Sequence, residues 1–228
     1  MTPRQPRVAA FDIIGTVFSL ESLRARLTDA GAPAHALELW IGAGLRDLFA
    51  LAAAGQHRAF REVLDGTLGT LLPRHGVPDS REVRDSLLDG FSSLAPQEEA
   101  RRAFEHLATR GVRIMALTNS AGSVTQGLLE KADLLPLVEH VVSIDDVGLP
   151  KPRREVYLHA AQLAGVASRD LALISAHPWD INGAAEAGLV TAFVARQAPY
   201  PAFFRAPDRV GETLEEAAAL LTSLPPRR

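Results

Sequence analysis

From about residue 95 onward the chain alternates short apolar runs with stretches of helical periodicity, and this rhythm constrains its fold more than any other feature. Val112-Arg-Ile-Met-Ala-Leu117, His140-Val-Val-Ser143, Leu171-Ala-Leu-Ile174 and Val190-Thr-Ala-Phe-Val194 have the length of strands and the composition of strands buried on both faces. Residues 98–109, 123–131, 154–164 and 181–187 repeat their apolar positions at helical spacing, and a last helix is expected over 214–221. Strands separated each time by a helix form a parallel sheet with helices on both faces. An earlier run, Val8-Ala-Ala-Phe-Asp12, reads as one more buried strand, with Asp12 delivered to its carboxyl end.

Between that first strand and the alternating region the pattern changes. Leu20, Leu23, Leu27, then Leu37, Trp40, Ile41, Gly44, Leu45, Leu48, then Phe60, Val63, Leu64, Leu68, Leu71 recur at intervals of three and four. Breaks fall near residues 31–33, 55–56 and 74–78. The expected architecture is therefore an α/β protein: a Rossmann-like parallel-sheet core of residues 1–18 and 93–228, with an all-helical cap over 19–92. An insertion entering directly after the first strand lies over the carboxyl ends of the strands, where ligands of open α/β sheets bind.

Composition removes several classes of function. The 228 residues include no cysteine, which excludes a disulfide framework, thiol catalysis and cysteine-ligated metals. A net charge of −3 with 6% aromatics gives no electrostatic footprint for nucleic acid. No apolar run reaches the roughly 18 residues of a membrane span and no signal peptide is read, so a cytoplasmic protein is expected. Only two lysines, Lys131 and Lys151, stand among 22 arginines. Where lysine survives in such a chain, a compact ammonium is worth considering, because Lys and Arg are not interchangeable in a confined site.

Four polar sets follow four of the apolar strands: Asp12 with Gly15-Thr16, Thr118-Asn119-Ser120, Lys151-Pro152 with Tyr157 downstream, and Ser175-Ala-His177-Pro-Trp179-Asp180. In a parallel sheet these strand ends converge on one rim, so the side chains can share a pocket. In this order and spacing they resemble the motifs of the haloacid dehalogenase superfamily, and within it the 2-haloacid dehalogenases, along the whole chain including the cap.

The chemistry of the residues is consistent with that resemblance. A carboxylate at Asp12 can attack an electrophilic carbon and form a covalent ester, dividing one displacement into two easier steps. Thr16 and Thr118 can orient it, and Lys151 can keep it ionised in a dry pocket. The resemblance further implies that Ser175 and Asp180 position the lysine or the hydrolytic water, and that Asn119 contacts halide or substrate. Tyr157, His177 and Trp179 are candidate substrate-binding residues, although each also has a structural reading: helix-face packing, a neutral loop histidine and core packing, respectively. Asp180 could equally cap a helix.

Two departures matter. The superfamily's phosphatases use an acid two residues after the nucleophile and further carboxylates on magnesium, whereas this chain has Ile14 and Ala176 at the relevant positions. The 2-haloacid dehalogenases place a halide-binding arginine in the cap, and Ile41 stands at the aligned position; Arg24, Arg46, Arg58 and Arg61 are other cap arginines. The expected protein is thus a metal-independent hydrolase of a small 2-haloacid, needing no cofactor, with a homodimer suggested by the family alone. An atypical magnesium-dependent phosphatase and a non-catalytic small-anion binder are the alternatives.

Overall fold

The computed structural model describes residues 3–196 and 199–226. Six parallel strands form one sheet: β1 (Val8–Phe11), β2 (Arg113–Leu117), β3 (His140–Val142), β4 (Leu171–Ser175), β5 (Val190–Val194) and β6 (Arg209–Gly211), in the spatial order β3-β2-β1-β4-β5-β6. Alternate residues of each strand serve opposite faces, as a strand period of two requires. Ala9, Phe11, Ile114, Ala116, Ala172 and Ile174 enter one apolar cluster, and Val8, Ala10, Met115, Leu117, Leu171 and Leu173 enter a second.

Helices cover both clusters. The first lies against α5 (Ala100–Ala108), α6 (Gly122–Lys131) and α10 (Leu214–Thr222), where the Phe11 and Phe104 rings stack with centroids 4.2 Å apart. The second lies against α8 (Arg154–Leu163) and α9 (Pro178–Glu186), with the four-residue α7 (Ile144–Val147) ahead of them. A helical cap follows β1: α1 (Glu21–Asp29), α2 (Ala36–Ala53), α3 (Phe60–Arg74) and α4 (Arg81–Asp89). Its core residues, including Leu23, Leu27, Trp40, Leu64 and Leu68, belong to the same apolar cluster as Phe11 and Phe104. Trp40 is fully buried and its indole N–H donates to the Leu64 carbonyl at 3.0 Å, tying α2 to α3.

Two local features differ from the sequence expectation. Strand β6 carries no apolar run, since only Gly211 of its three residues is buried, and it escapes a reading based on hydrophobicity. Helix α9 starts at Pro178 rather than Ile181, because proline's fixed φ and missing N–H suit the first helical position. Asp180 is consequently a first-turn residue of α9, and the residue preceding the helix is His177.

Gly183 in α9 explains how closely this helix approaches the segment after α7. A Cβ there would lie 2.6 Å from Pro152 Cβ, 2.7 Å from Tyr157 Oη and 3.0 Å from the Pro152 carbonyl oxygen. Intrinsic helix propensity favours alanine over glycine by about 1 kcal/mol. Gly183→Ala is nevertheless expected to destabilise the protein by roughly 1–3 kcal/mol, the usual effect of overpacking, as measured by urea unfolding. A stabilised variant would show that the close packing carries no constraint.

Candidate active site

The strand order reverses direction at β1, which has β2 on one side and β4 on the other. This is the switch point at which open α/β sheets bind ligands. Asp12 follows β1 directly, and its N–H continues the ladder by donating to the Ile174 carbonyl at 3.0 Å. Ser175 ends β4, Thr118-Asn119-Ser120 follows β2, and Lys151 sits between α7 and α8, at a cis Lys151–Pro152 peptide bond.

Lys151 is fully buried. Its ammonium donates to Asp12 Oδ1 at 2.8 Å, to Asp180 Oδ2 at 2.6 Å and to the Leu117 carbonyl at 2.9 Å, which uses all three N–H bonds. Asn119 clamps the lysine's backbone from both sides: its Oδ1 accepts from Lys151 N at 2.8 Å and its Nδ2 donates to Lys151 O at 3.2 Å. The other Asp12 oxygen, Oδ2, accepts from the Thr16 hydroxyl, with Ser175 Oγ and His177 Nε2 each 3.5 Å away. Asp180 Oδ1 accepts from the Tyr157 hydroxyl at 2.6 Å.

The two carboxylates share one ammonium but differ in proton affinity. Burial opposes ionisation of Asp12, yet the charges of Lys151 and His177 and the hydrogen bonds from Lys151 and Thr16 outweigh it and hold Asp12 below the ordinary aspartate range. Asp180 is pushed upward, chiefly by burial; Lys151 offsets only part of this, and the nearby Asp12 charge adds to it. For Lys151, burial disfavours the charge, but Asp12 and Asp180 together raise its pKa. Burial and the adjacent Asp180 raise the Tyr157 phenol well above its ordinary value, so it remains a donor.

A small cavity of about 40 Å³ opens on Asp12, Thr118, Asn119, Ser120, Lys151, His177 and Trp179 on the core side. The cap closes it with Leu20, Ile41, Leu45, Phe60 and Phe91, and Ile14 completes the wall. The His177 and Trp179 rings stack 5.4 Å apart, with Lys151 Nζ 5.9 Å from the Trp179 ring centre. Gly15, at φ +82°, permits this: a Cβ there would lie 2.9 Å from the His177 ring.

Several residues stand elsewhere than the sequence alone implies. Tyr157 does not line the cavity; it lies behind Asp180 and orients it. Thr118 lines the cavity but accepts from Ser120 N at 3.0 Å instead of donating to Asp12, so Thr16 alone fills the expected threonine role. The Asn119 amide is engaged with the Lys151 backbone, and what it presents to the cavity is a fixed edge. No arginine among the described residues lines the cavity. Arg24 is held by Glu21 and Glu38, Arg46 by Asp47, Arg61 by Asp89, and Arg58 donates to the His57 carbonyl. Leu20, Leu45, Phe60 and Phe91 are cavity walls that sequence reading misses, because apolar residues facing a pocket and a core share one periodicity.

The donor set does not suit magnesium, which wants several hard oxygen ligands. Asp12 and Asp180 are both engaged by the ammonium that stands between them, and the described residues hold no group of three or more His, Cys, Asp or Glu arranged for a metal ion.

A doubly covered parallel sheet, an acid after its central strand and a helical cap define a capped α/β fold. The family model for haloacid dehalogenase-like hydrolases matches residues 6–188, and the chain belongs to that family. It is 27% identical over 203 residues to (S)-2-haloacid dehalogenase 4A of Burkholderia cepacia, spanning 88% of each chain. It is 26% identical to the (S)-2-haloacid dehalogenase of Pseudomonas sp. strain YL, over 82% of each. Among solved structures, L-2-haloacid dehalogenase from Xanthobacter autotrophicus with chloropropionic acid covalently bound superposes with a TM-score of 0.88. That match covers 96% of this chain and 99% of the other at 20% identity, a likeness of fold. No helix among the described residues is long and apolar enough to cross a membrane.

The buried ion group leads to a test. Lys151→Met leaves two buried carboxylates without their counter-ion, and breaking such a pair typically costs about 3–5 kcal/mol. In that variant both folded-state carboxyl pKa values lie above their unfolded values, so the native state binds more protons than the unfolded state and stability rises as pH falls from neutral toward about 4. In the wild type the depressed Asp12 has the opposite sign: its contribution is full above about pH 4 and is lost as pH falls through the folded value. Chemical unfolding at pH 7 and pH 5 should therefore show the Lys151→Met deficit shrinking at pH 5. A deficit independent of pH would contradict the electrostatic account.

Proposed function

We propose that the protein hydrolyses small 2-haloacids through a covalent ester on Asp12. One observation carries this reading: Asp12 is the single carboxylate lining the cavity among the described residues, and its surroundings keep it ionised. An unprotonated carboxylate facing a small, largely apolar cavity is a poorly solvated nucleophile, as displacement at an alkyl carbon requires.

In the first step an Asp12 oxygen forms a bond to C2 of the substrate and the carbon–halogen bond breaks, with the electron pair leaving on halide. Halide is a weak base and needs no proton donor, which agrees with Ile14 where a general acid would otherwise stand. Lys151 and His177 are the basic side chains among the described residues of the cavity; with the three N–H bonds of Lys151 already taken, the ammonium attracts the anions through its charge. In the second step water adds to the Asp12 carbonyl carbon, the ester bond breaks, and the 2-hydroxy acid leaves with Asp12 regenerated. The net reaction consumes one water and releases halide and one proton.

The environments of the two carboxylates divide these roles, since opposed pKa shifts mark which group stays charged and which accepts a proton. Asp180, shifted upward, takes up the proton released when water adds. Lys151 touches both Asp12, where water adds, and Asp180, so the transfer runs through it. Esterification makes this easier, because it removes one of the two negative charges that hold the proton on Lys151. Tyr157 and Thr16 are positioning residues for Asp180 and Asp12 respectively.

Single turnover of 2-chloropropanoate in 18O-labelled water, followed by peptide mass spectrometry, tests the proposal. Label is expected in the Asp12 side chain and, over a single turnover, not in the product hydroxyl. Turnover that labels the product and leaves Asp12 unlabelled would mean direct attack of water and would overturn the ester mechanism.

A further inference from the structure

The catalytic cavity is flanked by two clefts between cap and core, and they differ in chemistry. One, of about 370 Å³, adjoins the cavity at Leu20, Ile41, Leu45 and His177 and contains Glu21, Arg24, Glu38 and Arg196. The other, of about 280 Å³, adjoins it at Ile14, Phe60, Phe91 and Ser120. Beyond those four residues the uncharged wall of the second cleft includes Ala59 just ahead of α3, Leu64 of α3, Leu88 of α4, Val124 of α6 and Ile144 of α7, with Ser92 its one further hydroxyl among the described residues. Its charged side chains include Arg61 and Asp89, paired at 2.7 Å with both side chains more than half exposed, and Asp145, itself exposed.

Resting on the reading above, we propose that this apolar cleft is a subsite for the alkyl chain of the substrate, and that the enzyme favours 2-haloalkanoic acids with an extended, uncharged tail. The inner cavity, at about 40 Å³, accommodates only the reacting end of such a molecule. Whatever follows C2 must leave it on one side or the other. A methylene chain in the larger cleft would strip water from Arg24 and its two glutamates, whereas in the smaller one it meets Phe60, Leu64, Leu88 and Val124. An apolar cavity of about 150 Å³ already accepts benzene, so 280 Å³ is ample for a short chain. The mouth has two acids against one arginine, which disfavours a second carboxylate at the far end of the tail.

Bromide release from 2-bromopropanoate and 2-bromohexanoate measures the effect. Apolar burial predicts a gain in kcat/KM of roughly fourfold per methylene, or roughly 60-fold over the three added carbons. Val124→Trp from the core side and Ala59→Phe from the cap side each fill the cleft, and either should collapse the ratio of the two kcat/KM values toward one. The two positions lie on different elements, so one misfolded variant leaves the other informative. Turnover of 2-bromopropanoate without preference for the longer acid, or a preference that survives both substitutions, would overturn the subsite and leave the ester mechanism standing. Release of bromide from neither acid would overturn the underlying reading and the subsite with it.

Discussion

The Lys151 ammonium lies 2.8 Å from Asp12 and 2.6 Å from Asp180 with no exposed surface, and a charge so buried is tolerable only because three acceptors surround it. The third acceptor is the Leu117 carbonyl at the end of β2, so the lysine joins the ends of β1 and β2 to the first turn of α9. Much of the site's construction secures this one group. Asn119 clamps its backbone, Tyr157 orients Asp180, and Gly183 lets α9 approach Pro152 and Tyr157. A planar guanidinium would not present its donors in these three directions, which is a physical reason for lysine to persist in a chain otherwise rich in arginine.

The two acids that share this group are nevertheless unlike each other, because their remaining surroundings differ. Asp12 gathers the Thr16 hydroxyl, the lysine and the flank of His177, and stays ionised. Asp180 is cut off from solvent, has Tyr157 and the lysine as partners, and faces the negative charge of Asp12. Fold and chemistry are therefore coupled through the sheet topology: only at the switch point beside β1 do the ends of β2 and β4 bring these residues together.

Much of this was legible in the sequence. Short apolar strands between helices implied the parallel sheet, because a strand buried on both faces must be largely apolar, and β1, β2, β4 and β5 meet that condition. The two edge strands have one buried residue each; β3 still shows its paired valines, whereas β6 has no apolar run for a hydrophobic pattern to reveal. At the site, motif spacing picked out the residues but not their partners. Thr118, Asn119 and Tyr157 are polar groups at strand ends or on a helix, and only three-dimensional geometry assigns them to Ser120, the Lys151 backbone and Asp180. The cavity's apolar walls were hidden for a different reason, since Phe60 and Leu45 satisfy the helical period of α3 and α2 whichever side they face. No arginine among the described residues lines the cavity in place of the one missing at Ile41, which leaves Lys151 and His177 as its basic side chains and makes the cap side a hydrophobic lid.

The central claim is that Asp12 and Asp180, although they share one ammonium, differ in proton affinity, and titration of carboxyl carbons labelled with 13C at aspartate, assigned with Asp12→Asn and Asp180→Asn, tests it most directly. The account predicts that in the wild type Asp12 titrates below the ordinary aspartate value of about 3.9 and Asp180 above it. Reversal of that order, or two carboxyls titrating together at the ordinary value, would contradict it.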